Sequence, residues 1–595
     1  MLAPNARELL LDALRPDPGY TLERAVGTTY SLDLDALLMA PLAFALFDVD
    51  TGAAGADPIA LLATIKSYAD KMAIYTDGGQ ISVPPTERPL MQLLESTIKP
   101  VHQEGGAFHP KVWVLRYADK DGDSRHRALI LSRNLTFDRS WDTLLRLDES
   151  PDGAPRENAF ELAAFLQELD RRVPSSVVRD LLTTLPAVSF SPPRGFDDLR
   201  FWPLYEDRPD PMAGIEAKSA LIISPFATAG RLSSIAPGAK RRALVTRPDT
   251  LDQLGGAVLE PWHEVYVLHG EAVDAEEGEA SKLSGLHAKV HVFDDGKRRR
   301  IFTGSANATT AAFSTNIELL VELGSTDPAT RVDRLLGESD REPTLRALLV
   351  PRRPALAEPI AKTAQEVEEE RLEALAKSLA AQAVVARATT DADGRWIVTL
   401  DLPLLGIDLA STDELRARLV TAGGIWQRLA VDGRSGHGRL PAGPASRVTS
   451  LIAIELSGDR DLDVSPETFV VVAELLDAPE DRERQLLLDL LPNAEKLMRL
   501  LFMLLADGRE GTDAAAQVRK ILATSASGDA AGWAPELPLF ENLVRTFARE
   551  PHRLSAIRSV IAQVRSAPDS EDRFPAGFLE LWATFDAALP ARDER

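Results

Sequence analysis

Short apolar runs alternate with helical stretches and polar turns through the first 350 residues, the pattern of an α/β fold. The spacing predicts strands over 107–117, 127–132, 220–224, 242–246, 264–268, 288–293 and 300–303. The longest apolar run, 36–47, has 12 residues, contains Pro41 and is bracketed by Asp35 and Asp48. It reads as a buried strand and turn, too short to cross a bilayer. A proline-rich stretch from Pro186 to Pro211 suits a junction between two halves, and Pro351-Arg352-Arg353-Pro354 marks a second boundary. Residues 358–387 then read as one charged helix with a solvated face. Between Trp396 and Leu476 the pattern changes to β alternation, with strands over 397–400, 416–420, 451–454 and 469–472. Beyond Glu480 it is helical, and the apolar block 486–505 reads as a packed core. The expected organisation is a half at 1–190, a half at 191–350, a linker helix at 351–390, a β-rich domain at 391–480 and a helical domain at 481–595.

Composition removes several chemistries. The 595 residues include no cysteine, which excludes a disulfide scaffold, thiolate metal ligation and a thiol nucleophile. Lys and Arg total 67 against 90 Asp and Glu, a formal charge of −23. That balance argues against a broad nonspecific grip on phosphate backbone, while leaving room for a local basic groove. The sequence opens without a basic segment leading into an apolar one, so a cytoplasmic protein with no membrane partner is expected.

Seven of the nine His residues fall between His102 and His291, and two of them share a context. His109 and Lys111 precede Ser132-Arg133-Asn134, and His287 and Lys289 precede Ser305-Ala306-Asn307. Asn134 follows His109 by 25 residues, and Asn307 follows His287 by 20. If His-x-Lys lies on a strand, both side chains project to one side, and a returning strand brings Ser and Asn beside them. An imidazole, an ammonium and an amide then surround one anion. A single His-x-Lys carries little weight; its recurrence with Ser-x-Asn downstream points to a phosphate-ester site built from both halves.

These residues resemble the phospholipase D superfamily, whose signature is two His-x-Lys-x4-Asp motifs, each followed by Gly-Ser-x-Asn. The second copy is complete, with His287, Lys289, Asp294, Gly304, Ser305 and Asn307, followed by Glu318 where the family commonly has an acidic residue. In the first copy Arg116 occupies the Asp position and Leu131 the Gly position, and Asp142 and Leu144 stand roughly where Asn and Glu would. Those departures, with Asn134 through Trp141, are similar to the tyrosyl-DNA phosphodiesterase and bacterial nuclease branch.

The resemblance implies two halves sharing one site, and catalysis without metal or cofactor. It assigns catalytic roles to His109, Lys111, Asn134, His287, Lys289, Asn307 and Glu318, and substrate-binding roles to Ser132, Ser305 and Asp294. His109 would attack phosphorus, Glu318 would orient it and His287 would protonate the leaving oxygen. The implied partner is nucleic acid, DNA first, with a helicase or other antiviral-defence protein alongside. A lipid phosphodiesterase and a non-catalytic partner-binding subunit are the alternatives. The basic run Lys297 to Arg300 reads as a solvated turn, Trp262, His263 and His269 as packing, and His291 as a group supporting the site.

Overall fold

The computed structural model describes residues 10–45, 58–137, 139–150, 159–206, 208–269, 284–338, 344–352, 363–506, 543–544, 546–547, 554–567, 573–575 and 577–589. The N-terminal 350 residues build two α/β sheets of matching topology. The first has six strands: β1 (Tyr20–Thr29), β2 (Met72–Asp77), β3 (Ile98–Val101), β4 (Val112–Asp119), β5 (Ser124–Leu131) and β6 (Leu144–Asp148). Their order is β3-β2-β1-β4-β5-β6, parallel among the first three and antiparallel from β1 to β6.

The second sheet contains β7 (Asp198–Leu204), β8 (Ser219–Ile223), β9 (Arg241–Val245), β10 (Glu264–Leu268), β11 (Val290–Asp294), β12 (Arg299–Gly304), β13 (Glu318–Ser325) and β14 (Leu349–Pro351). Six of these eight run β10-β9-β8-β11-β12-β13, the same order and sense as the first sheet, with β14 and β7 added at the edges.

Alternate residues of the central strands face different cores, as a pleated strand buried on both sides requires. Val112 and Val114 of β4 join Leu221 and Ile223 of β8 and Val290 and Val292 of β11 in one apolar cluster shared by both sheets. Trp113 and Leu115 point the opposite way into a second cluster, and Ala220 and Ile222 into a third. Common packing thus fixes one sheet against the other.

The run at 36–47 departs from the expected strand. Leu34–Phe44 is an α-helix, started by the Asp33 carboxylate, which accepts from the Asp35 and Ala36 N–H groups at 2.7 and 3.3 Å. That cap and the Leu, Ala and Met side chains outweigh Pro41, which costs the helix one internal N–H.

Downstream, strands Val385–Thr390, Trp396–Pro403 and Ser435–Gly443 pair in one sheet, and Glu414–Leu419, Leu451–Ser457 and Glu467–Val472 in another. The helix read from 358–387 spans Ala364–Ala380 and buries Leu372, Ala376 and Leu379 in the core of this β region. Its other side meets the first half, where Lys377 Nζ donates to the Gly106 carbonyl. Helix Ala494–Ala506 shares the apolar cluster of Leu37, Leu62 and Trp113, so the C-terminal helices and the first half bury one another. No helix among the described residues is long and apolar enough to cross a membrane.

Candidate active site

Both His-x-Lys segments lie just ahead of a strand, not within it. β4 starts at Val112 and β11 at Val290, so His109, Lys111, His287 and Lys289 occupy the extended leads into those strands. The reason is pairing across the halves. Phe108 bridges Ile317, and the His109 N–H donates to the Ile317 carbonyl at 2.9 Å. In the second copy the short strand Ser284–Leu286 pairs in parallel with Arg139–Trp141, and the His287 and Ala288 N–H groups donate to the Trp141 carbonyl at 2.8 and 2.9 Å. Each motif is therefore held by the half to which it does not belong.

The local geometry repeats. Lys111 Nζ donates to the His109 carbonyl and Lys289 Nζ to the His287 carbonyl, both at 2.9 Å. Lys289 also reaches the Ser132 carbonyl of the other half at 3.4 Å. Both lysines are 1% exposed. Burial, then the charge of Lys289, holds the Lys111 ammonium well below the usual lysine range. Two buried ammonium groups within electrostatic reach of one another form a site suited to an anion.

The two imidazoles differ. His109 Nδ1 is 2.9 Å from Glu318 Oε2, and Glu318 is fully buried at the start of β13. Asn316 Nδ2 donates to the other carboxylate oxygen at 3.2 Å, and Asn316 Oδ1 accepts from the Ala107 N–H at 3.1 Å. Burial alone would raise the Glu318 carboxyl, but His109, Lys111 and Ser305 hold it below its ordinary value. Burial lowers His109 to about 4 despite the opposing pull of Glu318. With Glu318 ionised, the neutral ring places its proton on Nδ1 and its lone pair on Nε2. Among the described residues His287 Nδ1 has no hydrogen-bond partner. Burial, then the charges of Lys289 and Lys111, pushes His287 still further toward the neutral form.

Register locates the counterpart of Glu318. Ile317 bridges Phe108, the residue before His109, and Trp141 pairs with Leu286, the residue before His287. The Ser305 hydroxyl accepts from the Leu319 N–H at 3.0 Å, and the Ser132 hydroxyl from the Thr143 N–H at 2.8 Å. Both relations put Asp142 at the position of Glu318. Asp142 faces Arg133 Nε at 3.8 Å.

Asn134 and Asn307 follow the returning strands β5 and β12, and each keeps a buried Oδ1 without a hydrogen-bond partner among the described residues. An Asn amide carries two N–H donors beside that oxygen, the groups with which it would meet an anion. Gly304, at φ +145, lets β12 approach the start of β13, where a Cβ would collide with the Leu319 carbonyl.

Three residues expected to bind substrate do other work. Ser132 and Ser305 are fully buried and tie the motif loops to Thr143, just ahead of β6, and to Leu319 of β13 through backbone N–H groups. Asp294 lies at the far end of β11, seven residues from His287 and on the order of 20 Å along an extended chain. Its carboxylate accepts from the Gly296 N–H at 2.7 Å and fixes the hairpin turn. Arg116 holds the same place in the first half, paired with Glu23 and Asp180 at 2.7 and 3.1 Å. An Asp and an Arg can exchange there because each serves the fold, away from the histidines.

The basic run is likewise engaged: Arg298 pairs with Asp198, Arg299 donates to Thr330 and Arg300 pairs with Glu322. His291 is fully buried under the second motif, with Nε2 3.3 Å from the Ala306 carbonyl and its acidity shifted to about 4 by burial. His263 Nδ1 accepts from the Arg242 N–H, and the His269 N–H joins the Leu348 carbonyl.

Two neighbours carry no motif of their own. Asp77, at the end of β2, accepts from the Phe108 N–H at 3.0 Å and so fixes the approach to His109. The Tyr30 ring packs 5.1 Å from the His109 ring, and burial followed by the charges of Asp77 and Glu373 raises its phenol. The signal for Asp77 was an acid before Gly78-Gly79 at the end of an apolar run. Among the described residues no group of three or more His, Asp or Glu side chains is arranged to hold a metal ion.

Comparison with known proteins adds little to this geometry. No family model and no curated protein matches the chain. A polyphosphate kinase from Porphyromonas gingivalis is similar in structure over 62% of this chain and 51% of its own, with 13% identity and a TM-score of 0.32. The match spans about half of that kinase, and an overlap this slight assigns neither family nor activity.

Proposed function

We propose that this chain is a phosphodiesterase that cleaves nucleic acid, DNA first, through a phosphohistidine on His109, without a metal ion. The observation that carries this reading is the crossed support of the two motifs: Glu318 of the second half holds His109 of the first, and Lys289 of the second reaches Ser132 of the first. The resemblance of both motifs to the phospholipase D superfamily supports the same chemistry.

In the first displacement His109 Nε2 forms a bond to phosphorus as the bond to the leaving oxygen breaks, and protonated His287 gives that oxygen its proton. In the second, His287 takes a proton from water, the water oxygen attacks phosphorus and the phosphorus–nitrogen bond breaks, restoring His109. Lys111 and Lys289 offset charge on the non-bridging oxygens, and the Asn134 and Asn307 amides donate to them.

The test is hydrolysis of bis(p-nitrophenyl) phosphate and of single-stranded DNA with chelator present. Activity is expected from the unaltered chain and absent from His109→Ala and His287→Ala, and His287→Ala denatured in detergent at alkaline pH, where a phosphohistidine survives, should show phosphoenzyme accumulated from an activated ester. Folded His109→Ala and His287→Ala proteins that both retain full activity overturn the mechanism. Turnover confined to phosphatidylcholine micelles overturns the substrate class.

A further inference from the structure

The ground beside His287 carries an aromatic side chain that the two displacements do not use. Phe226 follows the end of β8 and is 43% exposed, although its loop is firmly built. The Ser224 hydroxyl donates to the Phe226 carbonyl at 2.7 Å and accepts from the Ala308 N–H at 2.9 Å. Ala227 bridges Ala308, and the Thr228 N–H donates to the Ala308 carbonyl at 3.0 Å. Phe226 is thereby fixed next to the residue that follows Asn307.

A second tie runs to His287 itself. The Arg247 guanidinium sits 5.1 Å from the centre of the Phe226 ring, and Arg247 Nε donates to the Leu286 carbonyl at 2.9 Å. Leu286 is the residue before His287, and the charge of Arg247 is among those that disfavour protonation of His287. An exposed ring backed by a cation thus stands between the second Ser-x-Asn loop and the lead into the second His-x-Lys. An exposed phenylalanine gains nothing for the fold from such rigid placement, whereas a planar ligand stacked on it gains both contact area and a fixed charge.

The His109 side is different. Tyr30 packs against the imidazole there, Glu373 is close enough to raise the Tyr30 phenol, and Lys377 of the same helix is bonded to Gly106. The Asp77 carboxylate, held at the Phe108 N–H, makes that side less hospitable to a polyanion.

We infer that Phe226 and Arg247 form a nucleobase subsite on the leaving-group side, where the base next to the scissile phosphate stacks on Phe226 and Arg247 backs the ring and attracts the strand. This rests on the nuclease reading and adds to it the side from which the strand enters and the need for an unstacked base. The substrate is accordingly a single strand or a frayed end, since a base within a duplex has no free face to offer.

The test separates binding from chemistry. Fluorescence anisotropy compares an oligothymidylate with an abasic oligomer of the same length, on the unaltered chain and on Phe226→Ala and Phe226→Trp. The unaltered chain is expected to prefer the base-bearing strand, and Phe226→Ala to weaken its binding by about 5- to 150-fold, collapsing the preference toward one. Phe226→Trp should restore the preference, and Arg247→Gln should weaken both ligands and flatten the salt dependence. Equal affinity for the two oligomers on the unaltered chain, or an equal loss for both in Phe226→Ala, overturns the subsite. A preference seen for a strand ending in phosphotyrosine, and not for internal bases, overturns it in favour of an aryl leaving group. Hydrolysis of bis(p-nitrophenyl) phosphate is read in parallel. Base-dependent binding without hydrolysis refutes the catalytic mechanism and leaves the subsite standing, and hydrolysis without base dependence does the reverse.

Discussion

Replacing Glu318 by Gln changes one oxygen to a nitrogen, and the surroundings dictate which way the new amide must face. Asn316 is fixed, because its Oδ1 accepts from the Ala107 N–H, so its Nδ2 must donate toward position 318. The amide oxygen of the substituted side chain therefore turns to Asn316, and its NH2 turns to His109 Nδ1. An imidazole that accepts at Nδ1 carries its proton on Nε2, which removes the lone pair that the proposed mechanism directs at phosphorus. Loss of charge assistance on a 2.9 Å hydrogen bond accounts for about 1–2 kcal/mol, or roughly 5- to 30-fold in rate. The enforced tautomer adds to this, as in the corresponding serine-protease substitution, for a total of about 10³- to 10⁴-fold in kcat. The volume is unchanged and Glu318 is fully buried, so the fold should persist. Initial rates on bis(p-nitrophenyl) phosphate, with thermal unfolding as a control, provide the assay. In the double variant Glu318→Gln/His109→Ala the loss should be no greater than in His109→Ala alone. A folded Glu318→Gln protein with kcat within about threefold of the unaltered chain refutes the claim that the carboxylate sets the tautomer.

Three further outcomes follow from the buried polar groups. His291 is fully buried with its acidity shifted to about 4, so it binds a proton less tightly folded than unfolded. Its contribution to stability is complete above the ordinary histidine value and is lost as pH falls through that value toward 4, by about 3 kcal/mol. Urea titrations at pH 7 and 4.5 should show the loss, and His291→Leu should reduce the difference. Lys111→Met removes a buried ammonium that Lys289 repels, so the melting temperature should rise while hydrolysis falls by more than about 100-fold; an unchanged rate would refute its part in charge compensation. Ser305→Ala leaves the buried Leu319 N–H without its acceptor and should cost about 1–3 kcal/mol in urea unfolding.

What could be read directly was local. The apolar runs at 288–293 and 300–303 became β11 and β12 with small shifts, because their side chains are buried on both faces whatever the surrounding topology. The recurrence of His, Lys and Asn was legible because in each copy they flank a single hairpin and so lie close in sequence. The misreadings concern direction and distance. The lead at 107–111 looks like strand, but Pro110 has no N–H and Phe108 pairs with the opposite half, so β4 begins later. Ser132, Ser305 and Asp294 carry motif letters, yet a motif does not say whether a hydroxyl faces the ligand or the backbone behind it. Asp77, Tyr30 and Arg247 reach the site from strand ends and a helix start separated from it by tens of residues, and no spacing rule connects them to it.

The two halves match in topology and not in electrostatics, and this asymmetry distributes the roles. His109 has a carboxylate at 2.9 Å on Nδ1, which suits it to the nucleophile's part in the proposed mechanism. Among the described residues His287 Nδ1 has no hydrogen-bond partner, and burial, then the charges of Lys289, Lys111 and Arg247, favour its neutral form. A general acid must be protonated, and here the proton can come only with compensating negative charge. A bound phosphodiester supplies that charge beside the two ammonium groups and restores the basicity of His287 when a substrate is present to receive the proton. Asp142 stands where it could help, but Arg133 at 3.8 Å shares its charge and no hydrogen bond links it to His287 Nδ1. Asp142→Asn should therefore cost less than about tenfold in kcat, far below Glu318→Gln, and act chiefly on poor leaving groups. Equal losses in the two variants, measured on aryl and alkyl esters, would show that His287 is oriented as His109 is and that the division of labour argued from charge is wrong.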